Sequence, residues 1–342
     1  MNRLGYIDAL RGIGIILLVY NHFLFFGFSG GMSTMTPLDN EVMFILMPLF
    51  FVISGFVSYR KEQATTLPQL MKTLWMKVRQ LLIPTIIMFV FSRYAHCASI
   101  VDGLQDIMKK GYWFTFTLFQ IIVIYQILIY IARHFSKHIY KILVLCLPAL
   151  IFAFTPPPEY TSDNQYVILK ILSIRQLLAY YQYFIVGVIA KYNFELLQKT
   201  MTNKWWISLC FIYAFFCPTY HDPYTNWLII IARITCIFWI AYYYRNWLDK
   251  DSFLPNQLRY IGRHTIEIYF LHYFFLFKIP TIEMYLFSFI NAQDTICLAH
   301  EYMLELLIVG TLAIIVCYVC LLIRKILDAF PLISELCFGP NK

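Results

Sequence analysis

The sequence predicts an all-α, polytopic membrane protein of about ten transmembrane helices, with both termini cytoplasmic. Three observations predict it. Hydrophobic residues make up 60% of the 342-residue chain and charged residues only 13%, against about a quarter charged in an ordinary soluble domain. The apolar residues fall in blocks of bilayer-spanning length, which takes about 20 residues of helix. The blocks are continuously apolar rather than alternating, so they read as helices and not as the strands of a barrel.

The blocks are 9–28, 42–59, 80–98, 112–132, 139–155, 167–190, 205–220, 225–246, 259–279 and 302–323. Most connections are short. The longest are 60–79, 99–111 and 280–301, and the turn TPPPE (155–159) cannot continue a helix because proline lacks the backbone N–H. No internal repeat or low-complexity tract interrupts the pattern, so residues 1–342 read as a single membrane-embedded domain. The first block carries Arg11, lacks a small-residue cleavage site and runs into an aromatic cluster, which argues against a cleavable signal peptide.

Lysine and arginine orient the spans, because cytoplasmic segments carry their excess. With the N-terminus inside, those segments hold 19 of the 27 Lys and Arg, among them Arg60, Lys61, Lys72, Lys77, Arg79, Arg133, Lys137 and Lys141. The same bias accounts for the net charge of +8 without nucleic acid. The location expected is the inner (plasma) membrane, with the lipid bilayer as the first partner.

Several features carry little chemistry. Most of the nine cysteines lie inside the blocks, where a thiol behaves as a small apolar group, and the pair Cys317 and Cys320 reads as packing. His134 and His138 have a metal-like spacing, but no carboxylate lies between them, and no metal site is expected. His221 and Asp222 are merely adjacent. There is no P-loop, no GxSxG and no GxGxxG.

The informative residues are ionisable groups where lipid should be. Asp8 to His22 reads DALRGIGIILLVYNH. Arg11 and His22 are eleven residues apart, about three whole turns and roughly 16 Å of rise, so they share a face, with Asp8 close to it. Asp8 and Arg11 can anchor the helix at the interface. His22, about halfway across, is harder to place without a polar cavity, and an imidazole there can take a proton from an attacking hydroxyl. In the ninth block, YIGRHTIEIYFLHYFF (260–275) puts Thr265 and His272 on one face with Tyr269 near it. Arg263 and Glu267 have the spacing of an i,i+4 ion pair at the inner boundary. Ser54 and Gly55 read first as a close helix approach. The basic segment KTLWMKVRQLLIP (72–84) reads as a loop entering the third block, and as a dock for a cytoplasmic polyanion such as a nucleotide phosphate.

These motifs together resemble the acyltransferase 3 family of integral-membrane acyltransferases. The pattern of an arginine separated by ten residues from a histidine matches Arg11 and His22, preceded by Ile-Asp-Ala-Leu (7–10). The family's FFxxSGF matches Phe50 to Phe56, its LLIP matches Leu81 to Pro84, and its WF…LF span matches Trp113-Phe114 and Leu118-Phe119. Its FxxG matches Phe184 to Gly187, and its IGxxTxxIYxxH matches Ile261 to His272. The resemblance runs from Tyr6 to about Arg324. One departure stands out: where many members carry Arg-x-x-Arg, this chain has Lys77-x-x-Gln80 with Arg79 beside it.

The resemblance implies transfer of an acyl group, usually acetyl, from cytoplasmic acyl-CoA to a hydroxyl of a cell-surface or exported carbohydrate. Acyl-CoA would be a donor rather than a tightly bound cofactor, and the carbohydrate acceptor would be the other partner. His22 is expected as general base or transient acyl carrier, with Asp8 orienting Arg11. Arg11, Lys77 and Arg79 would meet the donor's phosphates, with Ser54 on the donor side. Thr265, Glu267, Tyr269 and His272 would line the opposite wall. Two other classes fit the fold, a transporter or flippase of a glycan intermediate and a scaffold that kept the fold without the chemistry. The Arg11–His22 spacing speaks against the scaffold, since a fold alone does not require it.

Overall fold

A computed structural model describes residues 4–27, 37–59, 66–106, 108–135, 138–154, 167–217, 223–278 and 295–340. Most of those residues are helical, and no strand is among them. The chain divides into two compact units. One holds residues 1–50 and 199–325, the other 51–198 and 326–342.

In the first unit the leading helix α1 (Gly5–His22) passes at His22 into a π-helical turn, Phe23–Gly27. Such turns shift the helical register and are frequent at functional sites. The next helix, α2 (Pro37–Ser58), begins here and ends in the second unit. Later in the chain, α11 (Lys204–Phe216) packs on α12 (Pro223–Tyr243) through small residues, Cys210, Ala214, Ala232 and Cys236. The Arg233 guanidinium, inside an apolar run, donates to the Ala214 carbonyl at 3.2 Å. A short α13 (Arg245–Leu248) leads to α14 (Phe253–Arg263).

The block 259–279, expected as one span, is not one helix. It breaks at His264 (φ −112°, ψ 28°), resumes as α15 (Thr265–Leu271) and ends in a 3-10 turn, His272–Phe275. α1 lies backbone-to-backbone along α14. A Cβ added at Gly12 would overlap the Leu258 carbonyl, and one at Gly262 would overlap the Asp8 carbonyl. Only glycine permits that approach, as in other membrane helix pairs. α16 (Thr295–Leu327) closes the unit's share of the chain.

In the second unit α3 (Leu67–Lys77) runs through a π turn, Val78–Leu82, into α4 (Ile83–Ala95). The basic segment expected as a loop is therefore helix. Its start is fixed by a capping box, in which Thr66 and Gln69 satisfy each other's backbone N–H groups, with Pro68 in the first turn. Beyond it lie α5 (Ile100–Gln105), α6 (Trp113–Ala132), α7 (His138–Phe154), α8 (Val167–Ile171), α9 (Ile174–Tyr192) and α10 (Phe194–Thr202). α2 and α9 meet through glycines: a Cβ at Gly55 would strike the Phe184 carbonyl, and one at Gly187 the Val52 carbonyl. The SGF and FxxG motifs thus share one explanation, each supplying the glycine that the other's backbone needs. Thr85 donates to Thr115 at 2.8 Å and joins α4 to α6. Tyr181 donates to the Leu145 carbonyl at 3.2 Å and joins α9 to α7. The final helix, α17 (Pro331–Phe338), packs against α4.

Among the described residues five helices are long and apolar enough to cross a membrane: Gly5–Gly27, Leu67–Ala95, Trp113–Ala132, Asn226–Tyr243 and Met303–Leu327. Three more apolar helices are shorter, Phe44–Ser58, Ile139–Phe152 and Lys204–Phe216. The block 167–190 divides into α8 and α9 at Ser173, whose backbone is left-handed (φ 51°). The turn TPPPE and the pair His221–Asp222 lie outside the described residues.

Candidate active site

Two histidines from two broken helices meet in the first unit. His22 stands where α1 turns π-helical, and His272 where α15 turns 3-10. His22 Nδ1 lies 2.7 Å from His272 Nε2. His272 is fully buried, and its Nδ1 lies 3.0 Å from the Ile268 carbonyl oxygen.

Those two distances fix the protons of the neutral pair. A carbonyl oxygen only accepts, so His272 Nδ1 must carry the hydrogen. His272 Nε2 is then a lone pair, and His22 Nδ1 donates to it. The remaining nitrogen, His22 Nε2, is left as the basic atom. Tyr273 and Phe26 pack their rings on His22, with centroids at 5.0 and 5.7 Å, and Tyr269 sits 6.1 Å from the His272 ring.

Lower on the same face Arg11 Nη2 donates to Thr265 Oγ1 at 2.7 Å. The face shared by Thr265 and His272 is thus turned toward α1, as their spacing suggests. Around the break at His264 the ion pairs differ from expectation. Arg263 does not pair with Glu267; its Nε lies 3.5 Å from Asp8 Oδ2. Glu267 Oε1 instead takes His264 Nδ1 at 3.2 Å and Arg324 Nε at 3.7 Å. The helix break is the physical reason, because residues on either side of a non-helical His264 no longer stack one turn apart.

Tyr20, on α1, donates to Glu305 of α16, and both are buried. Arg324 and Glu305 were not expected in the site. Arg324 reads in sequence as one more cation flanking a span. Glu305 could have been found as an acid inside an apolar run, where an ionisable group marks function by default.

The remaining candidates belong to the second unit. Arg79 donates through Nε to Glu335 at 3.1 Å and also through Nη2, so α17 bonds the basic segment directly. Lys77 Nζ donates to Gln80 Oε1 at 3.1 Å, which gives Gln80 a role at the position where the chain departs from the expected Arg-x-x-Arg. Ser54 is half-buried on α2 beside the glycine contact to α9. No group of three or more His, Cys, Asp or Glu among the described residues could hold a metal.

The acyltransferase 3 family, described as an acyltransferase domain, matches residues 4–322. The chain belongs to that family. No curated protein and no solved structure matches it. Membership makes the chain a membrane acyltransferase, and it gives the histidine pair a chemistry to serve. In an acyltransferase, a half-buried imidazole such as His22, with one nitrogen fixed as donor and the other basic, has the form of a general base held by a second residue.

Proposed function

We propose that the chain moves an acyl group, acetyl in the first instance, from acyl-CoA on the cytoplasmic side to a hydroxyl of a carbohydrate destined for the cell surface. The observation that carries this reading is the 2.7 Å pair of His22 and His272, anchored by the Ile268 carbonyl. The acceptor hydroxyl gives its proton to His22 Nε2 while its oxygen attacks the thioester carbon. The C–O bond forms, the C–S bond breaks, and the proton passes to sulfur, so that ester and free thiol leave. In the two-step form Nε2 attacks the thioester carbon and the C–S bond breaks to release the thiolate; the acceptor oxygen then attacks the acyl carbon, the C–N bond breaks to return neutral His22, and the hydroxyl proton goes to the thiolate.

In this reading Arg11, fixed by Thr265, is a partner for the donor's phosphate oxygens, with Tyr269 and Glu267 as acceptor contacts in the same unit. Lys77, Arg79 and Ser54, in the second unit, are read as donor contacts in their own right. The topology that goes with this reading has ten crossings of the plasma membrane and both termini cytoplasmic.

The test compares base-labile acyl esters on surface glycans in cells lacking the protein, cells carrying it, and cells carrying His22→Ala at equal protein level. Esters that vanish on deletion, return with the wild type and stay absent with His22→Ala are the expected result. Esters restored in full by His22→Ala refute the role of His22.

A further inference from the structure

Three polar residues stand in a row where α1 runs into its π-helical turn, Tyr20, Asn21 and His22. The outer two are engaged, Tyr20 with Glu305 and His22 with His272. Asn21, between them, is 2% exposed. Among the described residues neither its Oδ1 nor its Nδ2 has a hydrogen-bond partner. Burying an amide with both ends unbonded is costly, and folded proteins seldom keep one without a use. An apolar side chain of similar size would fill the position without that cost. Packing therefore does not account for Asn21.

The acyl-transfer chemistry has a place for it. When a nucleophile attacks the thioester carbon, the carbonyl oxygen takes up negative charge, and a hydrogen-bond donor set beside that oxygen lowers the barrier. The histidine pair has no N–H to give. His272 Nδ1–H is spent on the Ile268 carbonyl, His22 Nδ1–H is spent on His272, and His22 Nε2 is the base. Asn21 precedes His22 directly. Successive side chains on a helix point about 100° apart, so a carbonyl lodged in the angle between these two can meet Nε2 with its carbon and Nδ2 with its oxygen. The oxygen would then lie toward α2. Asn21 follows Gly14 by two turns on the same face, and a Cβ at Gly14 would stand 3.1 Å from the Phe50 ring of α2. With neither end bonded, the amide can turn its NH2 to the oxygen.

We propose that Asn21 is a catalytic residue, and that its Nδ2 donates to the thioester carbonyl oxygen as that oxygen becomes an anion. The amide neither gains nor loses a proton. It bonds most strongly while the attacked carbon is tetrahedral, and the carbonyl reforms as the C–S bond breaks. This deepens the reading above and rests on it for the reaction.

Inverted membrane vesicles carrying the full chain, or a variant at equal level, receive radiolabelled acetyl-CoA at rising concentration, and base-labile ester on the resident acceptor is counted. Asn21→Leu should lower the maximal rate about a hundredfold or more, with KM for acetyl-CoA within about threefold of wild type. Its thermal midpoint in detergent should not fall, because the amide it removes bonds to nothing in the folded chain. A structural residue, or one that holds a bound water, would show the opposite pattern, a lowered midpoint with the rate per folded molecule kept. That pattern overturns the proposal. So does a rate within about threefold of wild type, or a loss carried by KM alone. If Asn21→Leu does not fold, Asn21→Ala, which adds no bulk, decides by rate and KM.

The two failures are separable. Transfer lost with His22→Ala but kept with Asn21→Leu sinks only this role. Transfer lost with Asn21→Leu but intact with His22→Ala sinks only the base assigned to His22.

Discussion

His272 does not need to touch substrate to matter, because its work can be done through His22. Its Nε2 accepts from His22 Nδ1 and so decides which nitrogen of His22 is basic. His272→Leu removes the acceptor, leaves His22 free to take the other tautomer, and should lower kcat about ten- to a hundredfold with KM little changed. His272→Gln can place an amide oxygen near the lost nitrogen and should recover much of that loss. Steady-state transfer to a soluble acceptor measures both, and equal loss in Leu and Gln variants would reduce His272 to a packing residue. The pairing was half legible. Spacings of eleven from Arg11 to His22 and of seven from Thr265 to His272 put each pair on one helix face, and those faces do meet. The ion partners were not legible, because nothing in GRHT announces a break. No proline marks it, and an i,i+4 reading of Arg263 and Glu267 assumes a helix that stops at His264.

The elements are held by backbone contacts that sequence marks only as small residues. Gly187→Ala would drive a methyl into the Val52 carbonyl oxygen and against the Phe56 nitrogen, with no flexible side chain to yield. It should destabilise the α2–α9 pair by about 1–3 kcal/mol, the range of an overpacked core. Gly310→Ala on α16 meets nothing within 4 Å and should be neutral, or stabilising by up to about 1 kcal/mol from helix propensity. Thermal unfolding in one detergent compares the two, and equal effects would deny the close approach.

A second device sits before α6. Lys109 and Lys110 both adopt left-handed backbone (φ 48°), at a cost of about 1–2 kcal/mol each. The Lys109 ammonium turns inward to the carbonyls of Leu104 and Lys170, at 2.8 and 2.7 Å. Burial pushes its pKa down from 10.5 to about 8, against the opposing pull of Asp106. Below that pH the group is charged in both folded and unfolded chains, and the fold bears the whole cost of burying it. As pH rises from about 8 the folded chain releases its proton first, so folding is favoured by up to about 3 kcal/mol. The thermal midpoint of the wild type minus that of Lys109→Met should therefore climb between about pH 7.5 and about pH 10. A flat or falling difference would mean that the ammonium stays charged in its carbonyl cage.

At the scale of the whole molecule, apolar blocks announced the helices well and their ends poorly. All ten blocks are mainly helical where they are described, yet among the described residues five helices alone are long and apolar enough to cross a membrane unaided. Block 167–190 is divided by the left-handed Ser173, and 259–279 by His264. Polar interruptions of this kind persist in membranes where protein shields them, which hydropathy cannot see. Whether those two blocks cross is open to a direct test. Cys97 follows α4 and is exposed; Cys337 lies on α17, half-buried, with its thiol pushed up by that burial. The ten-span reading puts seven crossings between them, hence opposite sides, with Cys337 cytoplasmic. Single-cysteine versions treated with a membrane-impermeant maleimide should label Cys97 in intact cells. Cys337 should label only after permeabilisation, and more slowly, because the thiolate is the reactive form. If either 167–190 or 259–279 fails to cross, the count becomes even and both cysteines fall on one side. If Cys337 alone labels in intact cells, the orientation is inverted. His22 would then still stand in mid-span, but Arg11 would face away from the cytoplasmic donor, and its proposed role as a phosphate partner would fall.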